Sequence, residues 1–305
     1  MSRLIILAIV LLSVASGVFL ASAQQSDEEV RGAFLSSRPK TTSSNAPATR
    51  RRKPPQRQAN TSAATAKNAN TTKIANANIS FANTNTITIT NRLPMPAIAL
   101  GYTIFMRDMN GRAVRVDPTR EFHNGDRIRI SLEPNVDGYV YVFHTENDGP
   151  PEMIYPDARL EGGENWIEAH VPVDIPSTIE ADERLRWFQF YGNAGTERLY
   201  VVVTRDPLPE VPIGENLMKF CTANKDKCPW KPPLEAWVQI QLASKAEVRV
   251  VTSKVSAGQA ETEKEQVATT RGLGLDQTAP QPSVIRMSAA TNAPVLVTIL
   301  DLVHK

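Results

Sequence analysis

Histidine and cysteine are scarce in this chain: four and two, respectively, in 305 residues. A zinc site takes three or four ligands, drawn largely from those types. The four histidines (His123, His144, His170, His304) are dispersed, and none is spaced with the cysteines. No Gly-x-Ser-x-Gly elbow and no His-Glu-x-x-His pair occurs, so the usual local signatures of serine hydrolases and zinc proteases are missing. Gly272-Leu273-Gly274 is the nearest approach to a phosphate-cradling loop, and it lacks the third glycine and a preceding strand. No catalytic, cofactor-binding or metal-binding residues are therefore expected, and no cofactor. After the first two dozen residues no apolar run is long enough to cross a bilayer.

That first segment has a character of its own. Arg3 precedes an almost unbroken apolar run, Leu4–Leu20, which closes on Ala21-Ser22-Ala23. A basic start, an apolar middle and a small-residue exit are the parts of a secretory signal peptide, with cleavage after Ala23. An uncleaved anchor helix is the alternative, and membrane contact is expected only in that case. No cysteine stands near the exit, which argues against a lipid-modified terminus. The expected location is outside the cytoplasm, periplasmic or extracellular. In such a setting Cys221 and Cys228, an isolated pair, read as a disulfide, whose short loop would contribute on the order of 2–3 kcal/mol.

Residues 24–95 are rich in Asn, Thr, Ala and Ser, poor in large apolar side chains, and carry a net charge of +8. Such a segment buries too little apolar area to offset the entropy of ordering it, so a disordered tether is expected. The basic cluster Arg50-Arg51-Arg52-Lys53-Pro54-Pro55-Gln56-Arg57 is read as linker charge, with attraction to acidic envelope polymers as the alternative; nucleic acid is not an expected partner. Ile87-Thr88-Ile89-Thr90 alternates and reads as an extra strand or an extended approach to the domain. Residues 96–305 carry a net −7.

From about Pro96 strand patterns dominate. Ala99–Arg107 ends at the turn pair Asn110-Gly111. Arg127–Leu132 alternates, with Ile128, Ile130 and Leu132 on one face. Gly138–Phe143 is β-branched and aromatic, as in a strand covered on both faces. Further strands are expected at Glu152–Tyr155, Asn165–His170, Arg186–Tyr191 and Leu199–Thr204. Short strands with frequent turns indicate a mostly β fold, an antiparallel β-sandwich forming a single domain. Residues 206–233, proline-rich and holding both cysteines, read as a stapled insertion with a short helix at Ile213–Ala223. Leu234–Leu242 is expected as a strand because Ala236, Val238, Ile240 and Leu242 alternate; Glu247–Val251 and Pro294–Val303 are expected as strands too, and 252–282 as a mobile loop.

Several motifs between Gly101 and Pro209 occur in a recognisable order. They are Phe122-His123-Asn124-Gly125-Asp126 with its following strand, Asp137-Gly138-Tyr139-Val140-Tyr141-Val142-Phe143, Ile154-Tyr155-Pro156, Ile175-Pro176, and Gly195-Thr196-Glu197-Arg198-Leu199. The set resembles the domain-of-unknown-function 4384 family of bacterial exported and signalling proteins. The resemblance implies an all-β accessory domain and transfers no functional residues.

Weaker clusters remain. His123 and Asp126 flank a Gly turn and read as turn formers. Asp137, Glu146 and Asp148 flank one strand, but a calcium site takes about six oxygens. Glu180-Ala181-Asp182-Glu183 reads as a solvent-facing loop. Tyr139, Tyr141 and Phe143 share one strand face, and Trp187, Gln189 and Tyr191 another; both core packing and an aromatic binding platform account for them. The expected function is a non-catalytic binding or interaction module of the cell envelope, its partner a protein or an envelope glycan. Two alternatives stay open. One is an envelope enzyme built on His144, Asp148 and Glu152. The other is an assembly piece pairing by strand addition through Pro294–Val303.

Overall fold

The computed structural model describes residues 26–40 and 95–305. The signal segment 1–23, the cluster 50–57 and Ile87–Thr90 lie outside them. A helix, α1, covers 26–37. The strands follow as β1 (Ala99–Arg107), β2 (Ala113–Arg115), β3 (Glu121–Phe122), β4 (Arg127–Pro134), β5 (Gly138–Glu146), β6 (Glu152–Tyr155), β7 (Trp166–Ile167), β8 (Val173–Ile175), β9 (Phe188–Gln189) and β10 (Gly195–Thr204). Helices α2 (Gly214–Ala223) and α3 (Leu234–Ala243) come next, then β11 (Val248–Thr252), α4 (Glu263–Arg271), β12 (Val284–Ser288) and β13 (Val295–His304).

The strands build two sheets. One runs β11-β12-β1-β4-β8, with β2 on β1 and β9 on β4; the other runs β3-β13-β10-β5-β6, with β7 on β5. All pairings are antiparallel except β3 with β13. The alternation in the sequence supplies the core between the sheets. Leu100, Tyr102 and Ile104 of β1, Ile128, Ile130 and Leu132 of β4, and Val173 and Ile175 of β8 meet Val140, Val142, Leu199, Val201, Val203 and Leu300 of the second sheet. A mostly β sandwich is what the pattern required.

Neither outer face is left to water. On the second sheet Tyr141, Phe143, Tyr200, Val202 and Val297 pack under Leu217 of α2, Trp230, and Trp237 and Ile240 of α3. The Trp237 ring meets Tyr200 edge-on at 4.7 Å and Phe143 at 6.1 Å. The aromatic strand face is therefore core. On the first sheet Ala99, Val251, Ile285 and Met287 pack under Val30 and Phe34 of α1.

Three expectations are corrected. Leu234–Leu242 is helix: behind Pro232-Pro233 the chain buries Trp237 and Ile240, an i, i+3 pair, and leaves Val238 and Leu242 outside. Its alternating apolar positions hid a helical face. Residues 252–282 are not a mobile loop, since they contain α4 and the buried Leu275 and Ala279. Over 26–40 the expected tether is instead a docked helix, with Val30, Phe34 and Arg38 buried. The disulfide forms as expected, with Cys221 and Cys228 bonded and their Cα atoms 5.6 Å apart.

The glycine that opens β5 lies against the backbone at the end of β10. A Cβ on Gly138 would lie 2.1 Å from the Thr204 carbonyl oxygen and 3.4 Å from the Arg205 Cα. Both are backbone atoms that cannot swing away. Gly138→Ala is expected to part β5 from β10 at that end and to destabilise the fold by about 3 kcal/mol or more, read as a drop in the urea midpoint at unchanged slope. A midpoint equal to that of the parent would show that the strands separate freely there.

Candidate functional site

The outward positions of the first sheet explain where its chemistry lies. Alternation turns Ile128, Ile130 and Leu132 inward, so Arg129 and Glu133 of β4, Thr103 of β1, Arg115 of β2 and Asp174 of β8 project to the other side. Those residues are buried too, because α1, α4 and the segment 272–282 roof them over. Charges taken from water in this way must be paired, and each acid has an arginine.

At one end Arg38, from just beyond α1, reaches Glu133 with Nε at 2.8 Å from Oε1 and Nη2 at 2.7 Å from Oε2. It also donates to the carbonyls of Ala279 and Pro280 at 3.0 and 3.1 Å. His170 joins the same carboxylate, Nδ1 to Oε1 at 2.8 Å, and its Nε2 lies 2.9 Å from Ser37 Oγ. The order serine, histidine, acid is that of a nucleophile relay, but the connections differ. The Ser37 hydroxyl donates to the Phe34 carbonyl at 2.6 Å, and both Glu133 oxygens are held by Arg38. The cluster closes the helix onto the sheet. In the middle, Arg115 pairs with Glu265 of α4 and lies over the Phe105 ring at 5.3 Å.

At the other end the roof opens. A cleft of about 460 Å³ is lined by Arg112, Ala113 and Arg129, by Thr178, Glu183, Arg186 and Trp187, and by Ala260, Glu261, Gln266, Thr269 and Thr270. Arg129 organises its floor. Nη2 lies 2.5 Å from Glu261 Oε2 and Nε 3.3 Å from Asp174 Oδ2, and the guanidinium covers the half-buried Trp187 ring at 4.8 Å. Burial pushes the Glu261 carboxyl up to about 7 against the opposing pull of Arg129, and it raises Asp174 in the same way. Glu261 Oε1 is buried and takes no hydrogen bond among the described residues. An unfilled acceptor on a cleft floor is a place for a ligand's O–H or N–H group.

The expected clusters are only partly assembled. His144 lies 3.8 Å from Glu152 and 2.5 Å, through Nε2, from Glu197, which the sequence marked only as part of a motif and not as its partner; Asp148 turns away to Arg198. Asp126 caps the His123 backbone N–H at 3.0 Å, as a turn former does. Asp137 accepts from the Ala169 N–H at 2.8 Å, away from Asp148, and among the described residues no group of three or more His, Cys, Asp or Glu is placed to hold a metal ion. Glu183 and Trp187 do enter the cleft, whereas Tyr191 is largely out in solvent. Glu261, Gln266, Thr269 and Thr270 went unread, although one local signal announced their helix. Thr262-Glu263-Lys264-Glu265 fits a capping box, and both of its reciprocal bonds form, with Gly272 in the left-handed region ending α4.

Among the described residues no helix is long and apolar enough to cross a membrane, and the bonded cysteines fit a non-cytoplasmic environment. No curated protein and no solved structure matches the chain. One wall of the cleft, with Arg129, Asp174 and the 178–187 segment, falls within a recognised unit, because residues 121–207 match a family model described as a domain of unknown function, DUF4384.

Proposed function

We propose that the chain is an exported, non-catalytic binding module of the cell envelope, with the cleft between the 178–187 segment and α4 as its ligand site. The observation that carries this reading is the cleft itself. It combines volume in the range of small-molecule sites, one half-buried indole, and a buried acceptor without a donor. The disulfide and the signal-like first segment support the location, and the partner is a protein or an envelope glycan. Nucleic acid does not suit the acidic 96–305 region, and no cofactor is invoked.

A specific observation favours the enzyme alternative as well. A carboxyl held near 7 beside a cleft has the proton affinity of a general acid or base. One assay separates the two. A photo-crosslinker placed at Thr270 on the cleft, and a control at Lys219 on α2, are incubated with envelope fractions. The binding reading expects adducts from the Thr270 position alone and no new bond cleavage in the envelope polymers. Cleavage products that disappear with Glu261→Gln would replace it with the enzyme; equal labelling from both positions would remove the cleft as the site.

A further inference from the structure

We propose that the cleft is a saccharide site selective for sugars bearing an acidic group, with the sugar ring against Trp187, a ring hydroxyl on Glu261 Oε1 and the acidic group on Arg186. This rests on the reading of the chain as a binding module and narrows its ligand. The lining decides the class. Among the described residues its only aliphatic side chains are those of Ala113 and Ala260; against them stand three threonines, a glutamine, two glutamates and three arginines, with one indole. Such walls offer acyl chains and apolar peptide side chains little to bury against. They suit a ligand that both donates and accepts hydrogen bonds around a flat face, as a pyranose does.

The acidic group follows from how the arginines are occupied. Arg112 pairs with Asp108 at 2.9 Å, and Arg129 with Glu261 and Asp174. Glu183 is neutralised by Arg107 at 2.7 Å. Arg186 alone among the cleft arginines has no carboxylate partner among the described residues. Its Nε donates to the Glu180 carbonyl at 2.5 Å, which fixes the guanidinium at the cleft wall. A fixed guanidinium fork matches a carboxylate or phosphate in two parallel bonds. The floor contributes the second half of the selection, because the Glu261 carboxylate is already satisfied by Arg129 through Oε2 and has only Oε1 to offer. The ligand's acidic group is thereby kept at the wall and its hydroxyls at the floor.

Calorimetric titration of the intact mature chain tests this with three probes: tetragalacturonate as an acidic oligosaccharide, chitotetraose as a neutral one, and inorganic phosphate. Tetragalacturonate is expected to bind at one site at least tenfold more tightly than chitotetraose. Arg186→Ala should erase that difference without touching chitotetraose binding, and Trp187→Ala should weaken both sugars at least tenfold. Variants are compared only where their urea midpoints show a folded chain. Equal affinity for the two sugars, indifferent to Arg186→Ala, would overturn the acidic-sugar assignment while leaving a saccharide module intact. Phosphate binding as tight as tetragalacturonate would reduce the site to a simple anion site and overturn the saccharide. If no probe binds, the inference fails, and the crosslinking assay decides the module reading separately.

Discussion

Arg38→Ala is expected to destabilise the protein by about 3–5 kcal/mol, the range seen when one partner of a buried ion pair is removed. The side chain is fully enclosed. Its loss leaves the Glu133 carboxylate, at 4 % exposure, with His170 in place of a full charge partner, and leaves the carbonyls of Ala279 and Pro280 without their donor. The cost comes from the desolvated acid left behind rather than from the arginine's own contribution. A control follows from that distinction. Arg38→Met combined with Glu133→Leu removes both charges and should recover most of the loss, since apolar replacement of a whole buried pair is often neutral. Urea unfolding of the three chains reads the effect. A loss below 1 kcal/mol for the single variant would show that water already reaches Glu133, and α1 would then be no more than a loosely resting segment.

The second large effect is a pH dependence. The Glu261 carboxyl has an ordinary value of 4.5 and stands at about 7 in the folded chain. Folding therefore favours its protonated form. The stability this confers is fully present below about 4.5 and is lost as pH rises through about 7. A difference of that size corresponds to roughly 3 kcal/mol across the window. Asp174, also raised by burial, acts in the same direction. Thermal unfolding between pH 4.5 and 8 should thus show a melting temperature that falls with rising pH. Glu261→Gln keeps the shape, never ionises, and should flatten most of that slope. A parent chain whose melting temperature rises across the same interval would mean that Arg129 outweighs the burial of Glu261.

Much of this fold could be read from the chain because alternation is a local signal. Ile128, Ile130 and Leu132 declared a face of β4, and β5, β6, β10 and β13 lie where their β-branched and aromatic runs placed them. The same alternation is silent about what covers the opposite face of β4. Arg129 and Glu133 look like solvent-facing charges until their roof is known, and that roof comes from α1 and α4, over ninety and a hundred residues away. Burial of a charge depends on which distant segment covers it, and no local pattern carries that information. The Leu234–Ala243 helix shows a different limit. Apolar residues at 236, 238, 240 and 242 satisfy a period of two, while Trp237 and Ile240 satisfy the helical one. The tertiary pull of the Tyr141–Tyr200 face settles the conflict. The candidate site was half legible for the same reason. Glu183 and Trp187 drew notice as a charged loop and an aromatic strand end, but Glu261 meets them only once the chain has folded back.

The placement of β12 and β13 bears on how the protein is made. β1 finds its neighbour β12 nearly two hundred residues later, and β10 is paired along its whole length by the last strand, β13. A chain synthesised from its N-terminus thus completes β1, β4 and β5 long before either sheet can close. The apolar edges of both wait until residues 284–305 have emerged. Contacts so distant in sequence fold slowly and leave unpaired strands exposed in the interval. A ribosome that stalls shortly before Val284 would release a chain with two open sheets and α1 without Ile285 and Met287 of its seat. Such a product would be a substrate for chaperones and proteases rather than a shortened but working module.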